Sequence, residues 1–173
     1  MMDGPDSNAS GPVGPELIAQ ILERHAAALE LYARQLCQSP EDVVQDALIE
    51  LASQPGAPRD LIAWLYRVVR NKALSAARSA QRRKRHETQA AECQRPWLMA
   101  APGEAVDAAS VSAALETLPA EQREVVVAHL WGRLTFAEVG RVTNCTDSTA
   151  HRRYLAALSA LRERLTKPCL KNL

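Results

Sequence analysis

Apolar residues recur at steps of three and four along most of the 173-residue chain, the spacing of a helix with one buried face. From Glu16 to Leu36 the series is Ile18, Ile21, Leu22, His25, Leu29, Tyr32 and Leu36. Ser39-Pro40-Glu41-Asp42 then reads as a helix start. Ser39 can cap, Pro40 suits the first helical position, and the two acids favour the positive end of the helix dipole. This second helix is expected to reach Ser53, where Gln54-Pro55-Gly56-Ala57-Pro58 breaks it. A third helix is expected from Asp60 to Ala80, continuing into the basic cluster that follows. Thr88 to Ala109 loses the period and contains Pro96, Pro102 and Gly103, so it reads as a flexible linker, with Trp97-Leu98-Met99 apolar enough to dock. Val111 to Leu118 is a short helix, and Pro119 with Glu121 opens the next. Thr135-Phe136-Ala137-Glu138 fits a capping box, and Thr146-Asp147-Ser148-Thr149 starts a last helix running to Leu165. The pattern predicts an all-α fold of two small helical domains. A tail covers 1–15, the first domain 16–87, the linker 88–109, the second domain 110–167, and a tail 168–173.

Composition supports helices: hydrophobic residues make up 47% of the chain but aromatics only 4%, and Ala and Leu dominate. No apolar run is long enough to span a bilayer. Met1 to Pro15 is rich in Gly, Pro, Ser and Asn and does not read as a signal peptide, so a cytoplasmic location is expected. The four cysteines, Cys37, Cys93, Cys145 and Cys169, lie far apart. Their even count leaves disulfides open, but without a secretion signal reduced thiols are favoured. The four histidines (His25, His86, His129, His151) lack metal-ligand spacing. With no phosphate loop and no nucleophile beside a base, neither cofactor nor enzymatic activity is expected.

Charge separates into two blocks although the net charge is only +1. Cys37 to Pro58 holds the acids Glu41, Asp42, Asp46 and Glu50 and no Lys or Arg. Arg59 to His86 holds nine bases against one acid, Asp60, and includes Gln81-Arg82-Arg83-Lys84-Arg85. Two surfaces with different partners follow from that asymmetry. On the second helix Val44, Ala47, Leu48 and Leu51 share the core side, while Asp42, Gln45, Asp46 and Ile49 share the other. An acidic face with one exposed apolar residue suits protein docking, and the same pattern also suits a plain solvated face. On the third helix Leu61, Ile62, Leu65, Val69, Ala73 and Ala76 form the core side. Trp64, Arg67, Arg70, Asn71 and Arg78 gather opposite, where arginines can neutralise phosphates, an indole can stack and an amide can meet a base edge. The alternative is a partly buried Trp64 among solvated arginines.

Thr135 to Val142, the turn Thr143-Asn144-Cys145 and the helix from Thr146 read as a helix-turn-helix. Phe136, Val139 and Val142 can pack on Ala150 and Tyr154, and Gly140 would let the two helices approach closely. Ala150, Tyr154, Leu158, Leu161 and Leu165 form the stripe of the last helix. Ser148, Thr149, His151 and Arg152 are left at its outward end to meet bases and phosphates, with Arg153 able to add a phosphate contact.

These residues carry a resemblance. Asp42-Val43-Val44-Gln45-Asp46-Ala47 followed by Ala63-Trp64-Leu65-Tyr66-Arg67-Val68-Val69-Arg70-Asn71 resembles region 2 of extracytoplasmic-function (group IV) sigma-70 factors. Ala114 to Glu124, Leu134 to Gly140 and Ser148 to Tyr154 resemble region 4, and the likeness covers Leu17 to Leu165. The Thr-Ala-His-Arg-Arg-Tyr string resembles a planctomycete-type subgroup. The resemblance implies a sigma factor that binds core RNA polymerase and directs initiation. Asp42, Gln45, Asp46 and Ile49 would dock on the β′ clamp helices, with the β flap and an anti-sigma factor as further partners. Trp64, Tyr66, Arg67, Arg70, Asn71 and Arg78 would engage the −10 element as it melts, with Asn71 near the pocket for a flipped base. Ser148, Thr149, His151, Arg152 and Arg153 would read the −35 element as duplex. Ser75 stands where the family often has Asp or Asn, and Ala150-His151 where it often has Val-Arg. The competing reading is a stand-alone helix-turn-helix regulator, which needs neither region 2 motif. A helical adaptor or anti-sigma-like protein is the third, opposed by the Arg-rich face.

Overall fold

Helix-forming signals along the chain act locally, and the structure follows most of them. This computed structural model describes residues 13–87 and 113–165, and the side chains among them other than 84–87 and 164–165. Residues 1–12 of the tail expected over 1–15, the Trp97 linker segment and the tail over 168–173 lie outside the described residues. The elements are α1 (Pro15–Arg34), α2 (Pro40–Ala52), α3 (Leu61–Glu87), α4 (Ala120–Leu130), α5 (Phe136–Thr143) and α6 (Asp147–Leu165). A single helical turn over 113–116 precedes α4. Among the described residues every regular element is helical, so the all-α expectation holds.

Starts and stops follow backbone chemistry. Pro15 is the first residue of α1, so the helix begins one position inside the segment expected as tail; the fixed φ of proline suits that place. Ser39 occupies the N-cap of α2 but makes no side-chain cap bond, because its backbone angles (φ −119°, ψ 70°) lie outside the usual capping geometry. The first turn is closed instead by the Val43 amide donating to the Ser39 carbonyl at 3.3 Å. α5 has a complete capping box: the Glu138 amide donates to Thr135 Oγ1 at 3.3 Å, and the Thr135 amide donates to Glu138 Oε2 at 2.7 Å. Asn144 ends α5 in the left-handed region (φ 56°), which asparagine tolerates better than most residues.

α1, α2 and α3 pack around Leu29, Tyr32, Val44, Ala47, Leu51, Leu65 and Val69, all buried. α4, α5 and α6 form the second bundle around Val125, Val126, Val127, Val139, Val142 and Ala150. Four consecutive buried residues, Val125 to Ala128, cannot share one helical face; α4 is covered on several sides at once. It packs on α5 and α6 in its own bundle and on α1 of the first, while α3 packs on α5. One continuous apolar core results, and each fully buried Leu or Val side chain in it contributes about 1.5–3 kcal/mol by leaving water.

Gly132, in the turn after α4, sets how closely the bundles approach. A Cβ there would fall 2.7 Å from Tyr66 Cζ and 2.8 Å from its hydroxyl. Only glycine leaves room for that ring.

Candidate nucleic-acid interface

α2 places its two sides as the helical period requires. Val44, Ala47, Leu48 and Leu51 are buried, while Asp42, Gln45 and Asp46 are exposed, and Ile49 is 58% exposed beside them. An exposed isoleucine among acids is the surface expected of a docking face. Glu50 is tied to Lys72 of α3 at 2.9 Å and so belongs to the α2–α3 seam.

α3 divides its predicted basic face into two. Arg67, Asn71 and Arg78 are exposed, together with Arg82 and Arg83 further along. Trp64 is half-buried, lining a cleft of about 200 Å³ between the bundles with Arg59, Asp60, Arg67 and Arg141. Arg70 is turned under the second bundle, its side chain 17% exposed, and its Nε donates to Glu124 Oε1 at 2.5 Å.

Tyr66 corrects the expectation that placed it on the −10 face, since it is fully buried. At 100° per residue it lies 100° from Arg67 and 200° from Trp64, on the side that α1 and the Gly132 turn cover. Its ring meets Tyr32 at 4.9 Å, and its hydroxyl has no partner among the described residues. Burial pushes its pKa well up.

Tyr32 and Glu124 complete this junction. The Tyr32 hydroxyl donates to the same Glu124 Oε1 at 2.6 Å. Glu124 is 6% exposed, so a carboxylate of α4 is satisfied by one donor from α1 and one from α3. Burial raises the Tyr32 pKa well above 10.0, and the Glu124 charge beside it pushes the same way. Burial opposes the charge of Arg70, but the hydrogen bond and charge of Glu124 outweigh it and hold its pKa above the ordinary value. Neither Tyr32 nor Glu124 figured among the candidate functional residues. The available signal was a single acid, Glu124, opening the otherwise apolar string Val125-Val126-Val127-Ala128.

α5 and α6 form the helix-turn-helix. Gly140 permits their approach, because a Cβ there would meet the Cys145 carbonyl oxygen at 2.7 Å and the Asp147 nitrogen at 3.2 Å. Phe136 stacks on His129 at 4.3 Å, meets Tyr154 at 5.4 Å, and touches the His151 ring edge-on at 4.9 Å. His129 Nδ1 lies 2.7 Å from the Leu134 carbonyl oxygen. The aromatic set fixes the start of α6 on the bundle. Ser148, His151 and Arg152 are exposed at its outward end. Thr149 is half-buried, its amide donating to Thr146 Oγ1 at 3.2 Å as part of the helix cap. Arg153 is turned toward α4 and paired with Glu121.

Comparison with known proteins matches these two bundles to two family models. Sigma-70 region 2 matches residues 21–83, and Sigma-70, region 4 matches residues 108–161. The chain belongs to the sigma-70 family. As an RNA polymerase sigma factor it carries region 2 followed by region 4 along the chain. Region 2 makes the stand-alone regulator the weaker reading.

Solved structures agree with the fold of this sigma factor. A co-crystal structure of the sigma factor RpoE with the anti-sigma factor NepR, from Bartonella quintana, is similar at TM-score 0.70 and 23% identity, covering 87% of this chain and 97% of that one. The structure of CnrH in complex with the cytosolic domain of CnrY is similar at TM-score 0.57 and 23% identity, covering 88% and 89%. A search among curated proteins returned no match.

In sigma-factor terms, α1–α3 are region 2 and α4–α6 are region 4. No helix among the described residues is long and apolar enough to cross a membrane.

Proposed function

We propose that this sigma factor docks on core RNA polymerase through the α2 face and uses α3 and α6 for the two promoter elements. The observation that carries the reading is a pair of solvent-facing surfaces of opposite character on adjacent helices. Asp42, Gln45, Asp46 and Ile49 are exposed on α2, while Arg67, Asn71 and Arg78 are exposed on α3. The acidic face suits the β′ clamp helices, and region 4 suits the β flap. Arg67, Arg70, Asn71 and Arg78, with Trp64 as the stacking surface, suit the −10 element as it opens. Holding a flipped base near Asn71 would offset a few kcal/mol of lost stacking. Ser148, His151 and Arg152 suit major-groove readout of the −35 element, with Thr149 fixing the helix start and Arg153 reaching phosphate once released from Glu121. An anti-sigma factor is proposed as a regulator, since the similar Bartonella quintana sigma factor was solved with one. The site of action is the cytoplasm, with the polymerase.

The test is transcription from a promoter library by core polymerase with and without the purified chain. Specific initiation that needs both components is expected. Asp46→Lys should weaken core binding, and unchanged affinity would remove the α2 face from the account. Arg152→Ala should shift −35 preference, and an unaltered promoter profile would mean that α6 reads no bases.

A further inference from the structure

A buried carboxylate that takes two donors from another domain is more than packing. Resting on the sigma-factor reading, we propose that Glu124 is an internal anion: it occupies the guanidinium of Arg70 that opened DNA would use, and it holds regions 2 and 4 closed in the free chain. Region 2 then completes its DNA-binding face only when region 4 leaves.

The geometry is specific to the junction. Glu124 Oε1 accepts from Tyr32, 92 residues earlier, at 2.6 Å, and from Arg70, 54 residues earlier, at 2.5 Å. The Arg70 donor lies on the helix whose neighbouring polar side chains stay in water: Arg67, Asn71 and Arg78 are all exposed. The closed form therefore withdraws one arginine rather than covering the whole face. A carboxylate is a fair stand-in for a phosphate here, since guanidinium binds both through charge-assisted hydrogen bonds. At the outer edge of the same interface Arg141 of α5 reaches Asp60, the residue just before α3, at 2.8 Å.

The interface is also built to release. The Tyr66 hydroxyl is buried in it without a partner among the described residues, a cost that exposure to water removes. The edge pair Arg141–Asp60 is half exposed and weak. Closure thus combines an apolar seam with the polar contacts around Glu124, and a partner that binds the open form better shifts the balance by its difference in affinity for the two states.

The experiment uses the full chain. Small-angle scattering measures its radius, and fluorescence anisotropy measures its affinity for a fluorescein-labelled oligothymidine single strand. Glu124→Gln should enlarge the radius and tighten binding of the strand about fivefold or more, the low end of ordinary coupling between two sites. Unchanged radius and affinity in a folded Glu124→Gln chain would overturn the proposal. If that variant does not fold, Tyr32→Phe, which keeps the ring against Tyr66, is read in the same two assays with the same expectations. Promoter-directed transcription with core polymerase is measured separately. A chain that initiates specifically but shows no change in radius loses the latch and keeps the sigma function. A chain that opens on substitution but never initiates loses the function instead.

Discussion

Asp60 and Arg141 face each other at 2.8 Å across the junction of regions 2 and 4, with side chains 47% and 59% exposed. They come from positions 81 residues apart, and water reaches both. Arg141→Ala should lower stability by less than about 1 kcal/mol, as for other exposed pairs. That difference should vanish at about 1 M salt, where screening acts within about 3 Å. Urea titrations at low and high salt check it. A larger, salt-insensitive loss would show that the arginine acts by packing.

Tyr66 carries a hydroxyl that the fold buries without a partner among the described residues. Tyr66→Phe removes the unpaired oxygen and keeps the ring on Tyr32 and Gly132. Stability should rise by about 1 kcal/mol, part of the penalty for an unsatisfied buried group. Thermal melts of the two chains decide this, and a fall in the midpoint would mean that the hydroxyl is hydrogen-bonded in solution.

The capping box at Thr135 and Glu138 holds the start of α5. Thr135→Ala should cost about 0.5–2 kcal/mol, and Thr135→Ser should recover most of it because the acceptor oxygen returns. Equal losses in both variants would assign the effect to the methyl group rather than to the cap.

Gly140 lies where a methyl would press on the backbone at Cys145 and Asp147. Gly140→Ala should destabilise region 4 by about 1–3 kcal/mol through overpacking. Amide hydrogen exchange should quicken in α5 and α6 while α1 and α2 keep their protection. Uniform acceleration across both regions would show that the two unfold as one unit.

Alkaline pH should open the junction. The Tyr32 and Tyr66 hydroxyls are held in their protonated forms by burial, and at Tyr32 also by the Glu124 charge, so both pKa values lie above the ordinary tyrosine value. A raised folded pKa means that the folded chain keeps a proton which the unfolded chain loses first. Their contribution is therefore fully present below about pH 10 and declines as pH rises beyond it. The melting midpoint should fall between pH 9 and pH 11 (about one unit to either side of the unperturbed tyrosine), and less steeply in Tyr32→Phe. An equal slope in both chains would mean that other groups set the alkaline limit.

Local chemistry was legible in the residues. The α2 core side and its acidic opposite side, the break at Pro55 to Pro58, the capping box at Thr135 and the close approach at Gly140 all follow from spacing and backbone preference. Such signals act within one or two turns, so no tertiary knowledge is needed to read them. The motifs also placed the chain in its family, because regions 2 and 4 are recognisable one at a time.

The junction was decided only by the tertiary structure. A helical period marks one buried side, yet Tyr66 and Ala63 of α3 are buried as well, because a second bundle packs on that helix. Leu22 lies on the predicted stripe of α1 and is exposed, since a stripe records which residues could be covered and not how far the neighbours extend. Glu124 reads as one polar letter at the edge of an apolar run. Its partners Tyr32 and Arg70 are named by how α1, α3 and α4 meet, and no periodicity within a helix encodes a hydrogen bond between donors and an acceptor so far apart in the chain.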